Sequence, residues 1–408
     1  MIESNNKITI GFLGNQIAPG GGSTSLLLMI KSLDKSKYNI FVLASDCASE
    51  DSRKEFLKYS SEVIVNKKIK QFISCAGHKP RWLELCSAYI TIRKQSKIIV
   101  DFIRQNNIDI LHINNAVFAH LYKAIKNRTS VIIISHLREQ IHLYNTIFLE
   151  KFIIRNINMY SDKILAISDN EAKPFDKNKV EIVPNPFDFE IIDTLNKKNF
   201  RDIHSIKSEV LLVAMMGRFS ADKGQYLFIQ IANYLNQIGE IENILFVIFG
   251  TPKKKTRLVL LLKKILLRPD FYSKVLNYIE KNGLSKKILM IPYTKDILQY
   301  ANEMDIFIRP SLFMDPWGRD VIETMALGKC VIATGNSQFL IKDGFSGLLI
   351  NSLNPQIIGD KILGIIKNRE LMRKIGANAK KEILDKSNLF KYGARLDKIF
   401  QITYASRL

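Results

Sequence analysis

Arg218 and Lys223 flank a short glycine-containing run, Gly217-Arg218-Phe219 followed by Lys223-Gly224, directly after an apolar stretch that reads as a strand. Open α/β sheets bind ligands at the carboxyl ends of their strands, and two cations placed there suit a diphosphate. Solvated loop charges would look the same. A second place is Asp315-Pro-Trp-Gly-Arg-Asp-Val-Ile-Glu323. Pro316, Trp317 and Gly318 spell a tight turn, and a helix is expected from Asp320 with Glu323 projecting from its first turn. Asp315 and Glu323 can then face one site from the two ends of a loop–helix junction, or serve as a capping Asp and a surface Glu. A third is Gly20-Gly21-Gly22-Ser23 after the first predicted strand. Backbone N–H groups at such a strand-to-helix junction can cradle a phosphate, or the glycines can form a flexible turn. The GxGxxG spacing of dinucleotide sites and the lysine of a P-loop are both absent.

Positioning these residues requires parallel sheets. Short β-rich runs alternate with longer helical patterns, the signature of βαβ units. Strands are predicted at Lys7–Leu13, Ile40–Ala44, Ile108–Ile113, Ser130–Ser135, Lys163–Ile167 and Val180–Val183, with helices at Ser25–Leu33 and Thr91–Gln105. The pattern restarts with a strand at Val210–Met216, a helix at Lys223–Ile238 and strands at Ile244–Phe249, Ile288–Ile291, Ile306–Ile308, Cys330–Ala333 and Gly347–Ile350. This predicts two α/β domains, 1–190 and 191–386, and a closing amphipathic helix in 387–408.

The chain has 408 residues, 47% of them hydrophobic, enough for two cores and too much for a disordered or fibrous protein. Sixty Lys and Arg against 39 Asp and Glu give a net charge of +21, the second half being the more basic. That balance favours anionic partners: nucleic acid, an acidic membrane face or phosphorylated small molecules. Cys47, Cys75, Cys86 and Cys330 are scattered without zinc-binding spacing, which fits a reducing compartment, and no Asp-x-Asp pair points to a bridging divalent metal. Neither a signal peptide nor a spanning helix is expected, so the sequence reads as cytoplasmic, soluble or peripheral.

Taken together, the Gly20–Ser23 loop, Ile167-Ser168, Val183-Pro184-Asn185, Gly217-Arg218-Phe219 with Lys223-Gly224, and Asp315 to Glu323 followed by Met325-Ala326-Leu327-Gly328 resemble the family-four retaining glycosyltransferases, glycosyl transferases group 1. The matches run in order over nearly the whole chain. The resemblance implies the GT-B fold: two Rossmann-like domains facing each other across a cleft, the N-terminal one on the acceptor side and the C-terminal one on the donor side, with the last helix returning to the first domain. It implies a metal-independent, retaining hexosyltransferase that takes a nucleotide-sugar donor, a UDP-sugar, without further cofactor. A glycan or lipid-linked acceptor in surface polysaccharide or glycolipid synthesis would receive the sugar. Carried over residue by residue, Arg218 and Lys223 would hold the donor diphosphate and Glu323 the ribose hydroxyls. Asp315, where the family usually has Glu, would face the donor sugar, with backbone groups of Trp317, Gly318 and Arg319 reaching sugar hydroxyls. Gly21 and Gly22 would approach the phosphates, and His136 would sit beside the sugar.

Lys253 to Arg268 packs seven cations and no acid around an aliphatic series. It suits the surface of an anionic membrane, or an amphipathic helix packed on its own domain. Two other readings are an epimerase of the same fold and, in another class, a basic nucleic-acid-binding protein. The latter needs a basic face interleaved with aromatics, whereas the cations outside 253–268 are dispersed, so no nucleic-acid partner is expected.

Overall fold

The computed structural model describes residues 7–72, 82–141, 146–195, 200–252 and 270–407, so the basic segment 253–268 and Cys75 lie outside the described residues. The chain forms two compact units, Met1–Pro186 with Ser387–Leu408, and Phe187–Lys386. The break falls at Pro186 rather than at the expected 190.

The first unit is built on a seven-stranded sheet: β1 (Ile8–Ile17), β2 (Tyr38–Cys47), β3 (Glu62–Val65), β4 (Ile110–Ile113), β5 (Ile132–Leu137), β6 (Lys163–Ala166) and β7 (Val180–Ile182). Their order is β3-β2-β1-β4-β5-β6-β7 and every pairing is parallel. Parallel strands must be covered on both faces, which is why they read as continuous apolar runs. Leu13, Leu111 and Ile133 enter a core with the helix Ile92–Gln105 and the helix Ile147–Tyr160. Ile10, Phe12, Ile110, Ile132 and Ile134 point the other way, into a core shared with the helix Gly21–Lys31. That second core is closed by the helix Leu389–Ala405, whose Tyr392, Leu396, Ile399 and Phe400 recur at helical spacing and are all buried. Asp397 on the same helix receives hydrogen bonds from the Tyr38 hydroxyl at 2.7 Å and from Lys37 Nζ at 2.9 Å.

The second unit carries six parallel strands, β8 (Leu211–Met216), β9 (Ile244–Thr251), β10 (Ile288–Pro292), β11 (Ile306–Arg309), β12 (Cys330–Thr334) and β13 (Leu348–Ile350), in the order β10-β9-β8-β11-β12-β13. Its core is apolar, with Val213, Phe246, Ile248 and Ile306 fully buried. One device recurs in both units. An aspartate just before a strand accepts the first free N–H of the neighbouring strand: Asp109 from Thr9, Asp162 from Ile133 and Asp305 from Leu212, at 2.7 to 2.8 Å. Each satisfies a ladder-end donor that would otherwise be buried without a partner.

Candidate functional site

In each sheet the strand order reverses beside the first strand, between β1 and β4 and between β8 and β11. The carboxyl ends of the strands on either side of such a reversal leave room for a ligand, because their connections run off in opposite directions.

In the second unit, β8 ends into Gly217-Arg218-Phe219, and a short 3-10 turn, Ala221–Lys223, precedes the helix Gln225–Gln237. The helix therefore starts later than the expected Lys223, because Gly224 adopts the left-handed conformation, φ 81°. That glycine is obligatory: a Cβ there would stand 1.8 Å from the Pro310 carbonyl oxygen. The same close approach joins the two sequence motifs, with Leu312 N–H donating to the Asp222 carbonyl at 3.0 Å. Arg218 is exposed, and its guanidinium has no partner among the described residues. Lys223 Nζ lies 3.8 Å from Asp222 Oδ2.

The acidic motif is held differently from the expectation. Asp315 pairs with Arg309, which it shares with Asp320, and Glu323 pairs with Arg319. Arg309, the last residue of β11 and only 7% exposed, donates from Nη2 to Asp315 Oδ2 and from Nε to the Asp315 carbonyl, both at 2.7 Å. Its Nη1 reaches both oxygens of Asp320, at 2.6 and 2.8 Å. Burial opposes its charge, but the two carboxylates outweigh it and hold the guanidinium firmly protonated. The tight turn expected at Pro316–Gly318 lies earlier, at Leu312 and Phe313, and the chain only bends at Gly318, beside this cation. A Cβ at Gly318 would lie 2.6 Å from Arg309 Nη1, so any larger residue there would displace the guanidinium. Trp317 is buried, and the helix Arg319–Ala326 begins at Gly318 without a side-chain cap. Glu323 sits in the second turn of that helix rather than its first, and Arg319 Nε pairs with its Oε1 at 2.7 Å. Burial pushes the Glu323 carboxyl up; Arg319 opposes this and Asp320 adds to it. Asp315 Oδ1 is buried without a hydrogen-bond partner among the described residues.

In the first unit, β1 leads to Gly20, Gly21 and Gly22, all exposed, and the helix Gly21–Lys31 starts within them, earlier than the expected Ser25. An added Cβ at Gly22 would meet no atom within 4 Å, so the fold itself leaves that space open. Ser23 Oγ accepts from Ala18 N–H at 3.2 Å and steadies the turn. His136 lies in β5 and is completely buried. Its Nδ1 is 3.3 Å from Nε2 of His112, a fully buried residue of β4, and its Nε2 has no partner among the described residues. Burial, reinforced by nearby Arg138, drives both imidazoles well below their ordinary range, so both are neutral. Arg138, just beyond β5, binds Asn114 Oδ1 from Nε at 2.6 Å and Asn185 Oδ1 from Nη1. Ser168 caps the short helix Asp169–Ala172.

Sequence reasoning missed Arg309, Asp320, His112 and Arg138. An arginine ending an otherwise apolar strand, Ile306-Phe307-Ile308-Arg309, was a visible signal for the first.

Residues 196–382, almost the whole second unit, match the family model described as glycosyl transferases group 1. The second unit carries a glycosyl transferases group 1 domain. The chain is 26% identical over 293 residues to the uncharacterized glycosyltransferase MJ1178 of Methanocaldococcus jannaschii, an alignment covering 70% of this chain and 73% of that one. It is 25% identical over 266 residues to the Escherichia coli UDP-Gal:α-D-GlcNAc-diphosphoundecaprenol α-1,3-galactosyltransferase, covering 62% of this chain and 60% of the relative. Among solved structures, Anabaena Alr3699/HepE in complex with UDP and glucose superposes with a TM-score of 0.76 at 16% identity, over 97% of this chain and 99% of that chain. The fold is GT-B, with two Rossmann-like domains. In the glycosyl transferases group 1 domain, Gly217 to Gly224 and Asp315 to Glu323 are thus the loops at the β8/β11 reversal. No helix among the described residues is long and apolar enough to cross a membrane.

Proposed function

We propose that this chain is a retaining glycosyltransferase that moves a sugar from a UDP-sugar to a glycan or lipid-linked acceptor in the synthesis of a surface polysaccharide or glycolipid. The observation that carries the reading is the joining of two loops at the β8/β11 reversal: Gly224 against Pro310 and Leu312 on Asp222 bring the loop of Arg218 and Lys223 beside the loop of Asp315. An unpartnered guanidinium next to a lysine at a strand's carboxyl end is poised for a diphosphate.

In the reaction we propose, the bond between the anomeric carbon and the diphosphate oxygen breaks while the acceptor oxygen bonds to the same face of that carbon. The leaving phosphate takes the acceptor's proton, so no side-chain nucleophile is needed. Negative charge grows on the diphosphate as the bond lengthens, and Arg218 and Lys223 stabilise it without a metal ion. Glu323 accepts from the ribose hydroxyls. Asp315 and the backbone at Trp317, Gly318 and Arg319 meet the sugar. The E. coli relative, which makes an α linkage on a diphosphoundecaprenol-linked sugar, supports retention and a lipid-linked acceptor. Such an acceptor would place the enzyme at the cytoplasmic face of a membrane.

Thermal shift against UDP-, GDP- and ADP-sugars tests the donor, because a ligand that binds only the folded state raises the melting temperature. A UDP-sugar should raise it, and transfer from that donor should give a product of unchanged anomeric configuration by NMR. An inverted product, or stabilisation by none of the panel, would sink the reading.

A further inference from the structure

Arg309 is an odd residue for its place. It ends a strand whose Ile306, Phe307 and Ile308 are buried, and it is buried itself. A buried ion pair is seldom a net source of stability compared with apolar packing, so stability does not account for the cation. Its geometry does more. The guanidinium spans the segment between Asp315 and Asp320, taking the carbonyl and Oδ2 of Asp315 on one side and both oxygens of Asp320 on the other. Gly318 lets that segment pass close to it. Two carboxyl groups share one guanidinium, and the carboxyl oxygen left over is Asp315 Oδ1, buried and without a partner among the described residues. An orphaned buried acceptor is costly unless a donor arrives to meet it.

We propose that Arg309 is a positioning residue for sugar selection: by holding Oδ2 and the main chain of Asp315, it directs Oδ1 toward a hydroxyl of the donor sugar. This rests on the nucleotide-sugar reading. Arg309 touches neither diphosphate nor ribose in this assignment, so it governs which sugar reacts and how fast, while the nucleotide binds without it. It also relates to the shortened acid at 315: Asp315, one methylene shorter than Glu, is fixed by a long, forked cation. Lysine at 309 keeps the charge but loses the fork that grips carbonyl and carboxylate together.

The test compares wild type, Arg309→Lys and the double variant Arg309→Lys with Asp315→Glu. UDP affinity is measured by calorimetry, and UDP release is followed under single-turnover conditions from UDP-glucose, UDP-galactose and UDP-N-acetylglucosamine. Arg309→Lys should keep UDP affinity within about twofold. It should slow the best donor by on the order of tenfold to a hundredfold, the scale of a misplaced positioning group, and flatten the ranking of the three sugars. The longer acid in the double variant should recover part of the rate. Unchanged rates and ranking in Arg309→Lys would overturn the assignment, as would a parallel loss of UDP affinity, which marks a merely structural role. Wild type that binds UDP and none of the three sugars' nucleotides productively would instead overturn the donor reading on which it rests.

Discussion

Arg218 and Lys223 differ in how the chain itself uses them. Arg218 has no partner to lose among the described residues, while Lys223 has Asp222 at 3.8 Å. Each variant to alanine should fold normally and reduce transfer on the order of 10²- to 10³-fold, the usual cost of removing a charge that stabilises a leaving group. Steady-state kinetics with the active donor checks this, and near-wild-type transfer by both variants would remove the diphosphate from this site. Asp315 and Glu323 should separate in kind. Glu323→Gln keeps shape but loses charge-assisted bonds, so donor affinity should weaken most. Asp315→Asn should lower turnover more than affinity. Dissociation constants and single-turnover rates, measured separately, decide it; identical effects on both would refute the division. The polar positions themselves could be read in the sequence because their types and order match a motif. Their partners could not. The Arg309–Asp320 pair is set by where β11 stops relative to a helix start, and the His112–His136 pair by register between β4 and β5, neither of which residue types reveal.

At the scale of elements, strands were legible from apolar runs even where they are short, as in the three-residue β7 and β13. β3 was passed over: it lies at the edge of the sheet and begins with an exposed glutamate, leaving only Val63, Ile64 and Val65 between polar neighbours. Helix starts were also placed poorly, since Gly21 and Gly224 begin helices by backbone geometry rather than by capping side chains. Gly224→Ala tests how tightly the two loops of the second unit are joined. With Pro310 oxygen 1.8 Å from the new Cβ and a left-handed backbone besides, the loops must part. The expected outcome is a lower melting temperature together with loss of transfer. A variant with wild-type stability and rate would show that the junction is not needed. Asp305→Ala should destabilise by about 1 to 3 kcal/mol in urea unfolding, because it strands the Leu212 N–H and removes the carboxylate 3.2 Å from Arg201 Nη2, leaving that guanidinium only the Lys207 and Val210 carbonyls.

For the whole molecule, the buried histidines make stability depend on pH. His112 and His136 stay neutral in the folded state, and burial takes His120 down to about 3. Unfolded, each titrates near about 6.5, so below that pH the unfolded chain binds protons that the native chain refuses. Stability should be complete above about pH 6.5 and fall on acidification by up to about 1.4 kcal/mol per pH unit for each such group. Thermal melts between pH 7.5 and 5 measure the slope, and a flat profile would mean that these imidazoles reach solvent or a counter-charge. At neutral pH, added EDTA should leave transfer largely intact, since the proposed charge stabilisation comes from side chains; complete loss restored by Mg²⁺ or Mn²⁺ would refute that.

The first unit is interrupted in sequence by the second and is finished only by the helix Leu389–Ala405. Tyr392, Leu396, Ile399 and Phe400 are buried in one core with residues of β1, β2 and β4, and Leu396, Ile399 and Phe400 alone contribute about 1.5 to 3 kcal/mol apiece, a large share of the stability of a typical domain. On the ribosome this inverts the usual order of events, in which the part made first is finished first. The sheet that emerges early must wait, with one apolar face only partly covered by the helix Gly21–Lys31, while the 200 residues from Phe187 to Lys386 are made and fold. Nascent chains halted after Lys386 should therefore resist protease across the second unit and be cut in the first, and that protection should appear only when the last helix has cleared the exit tunnel.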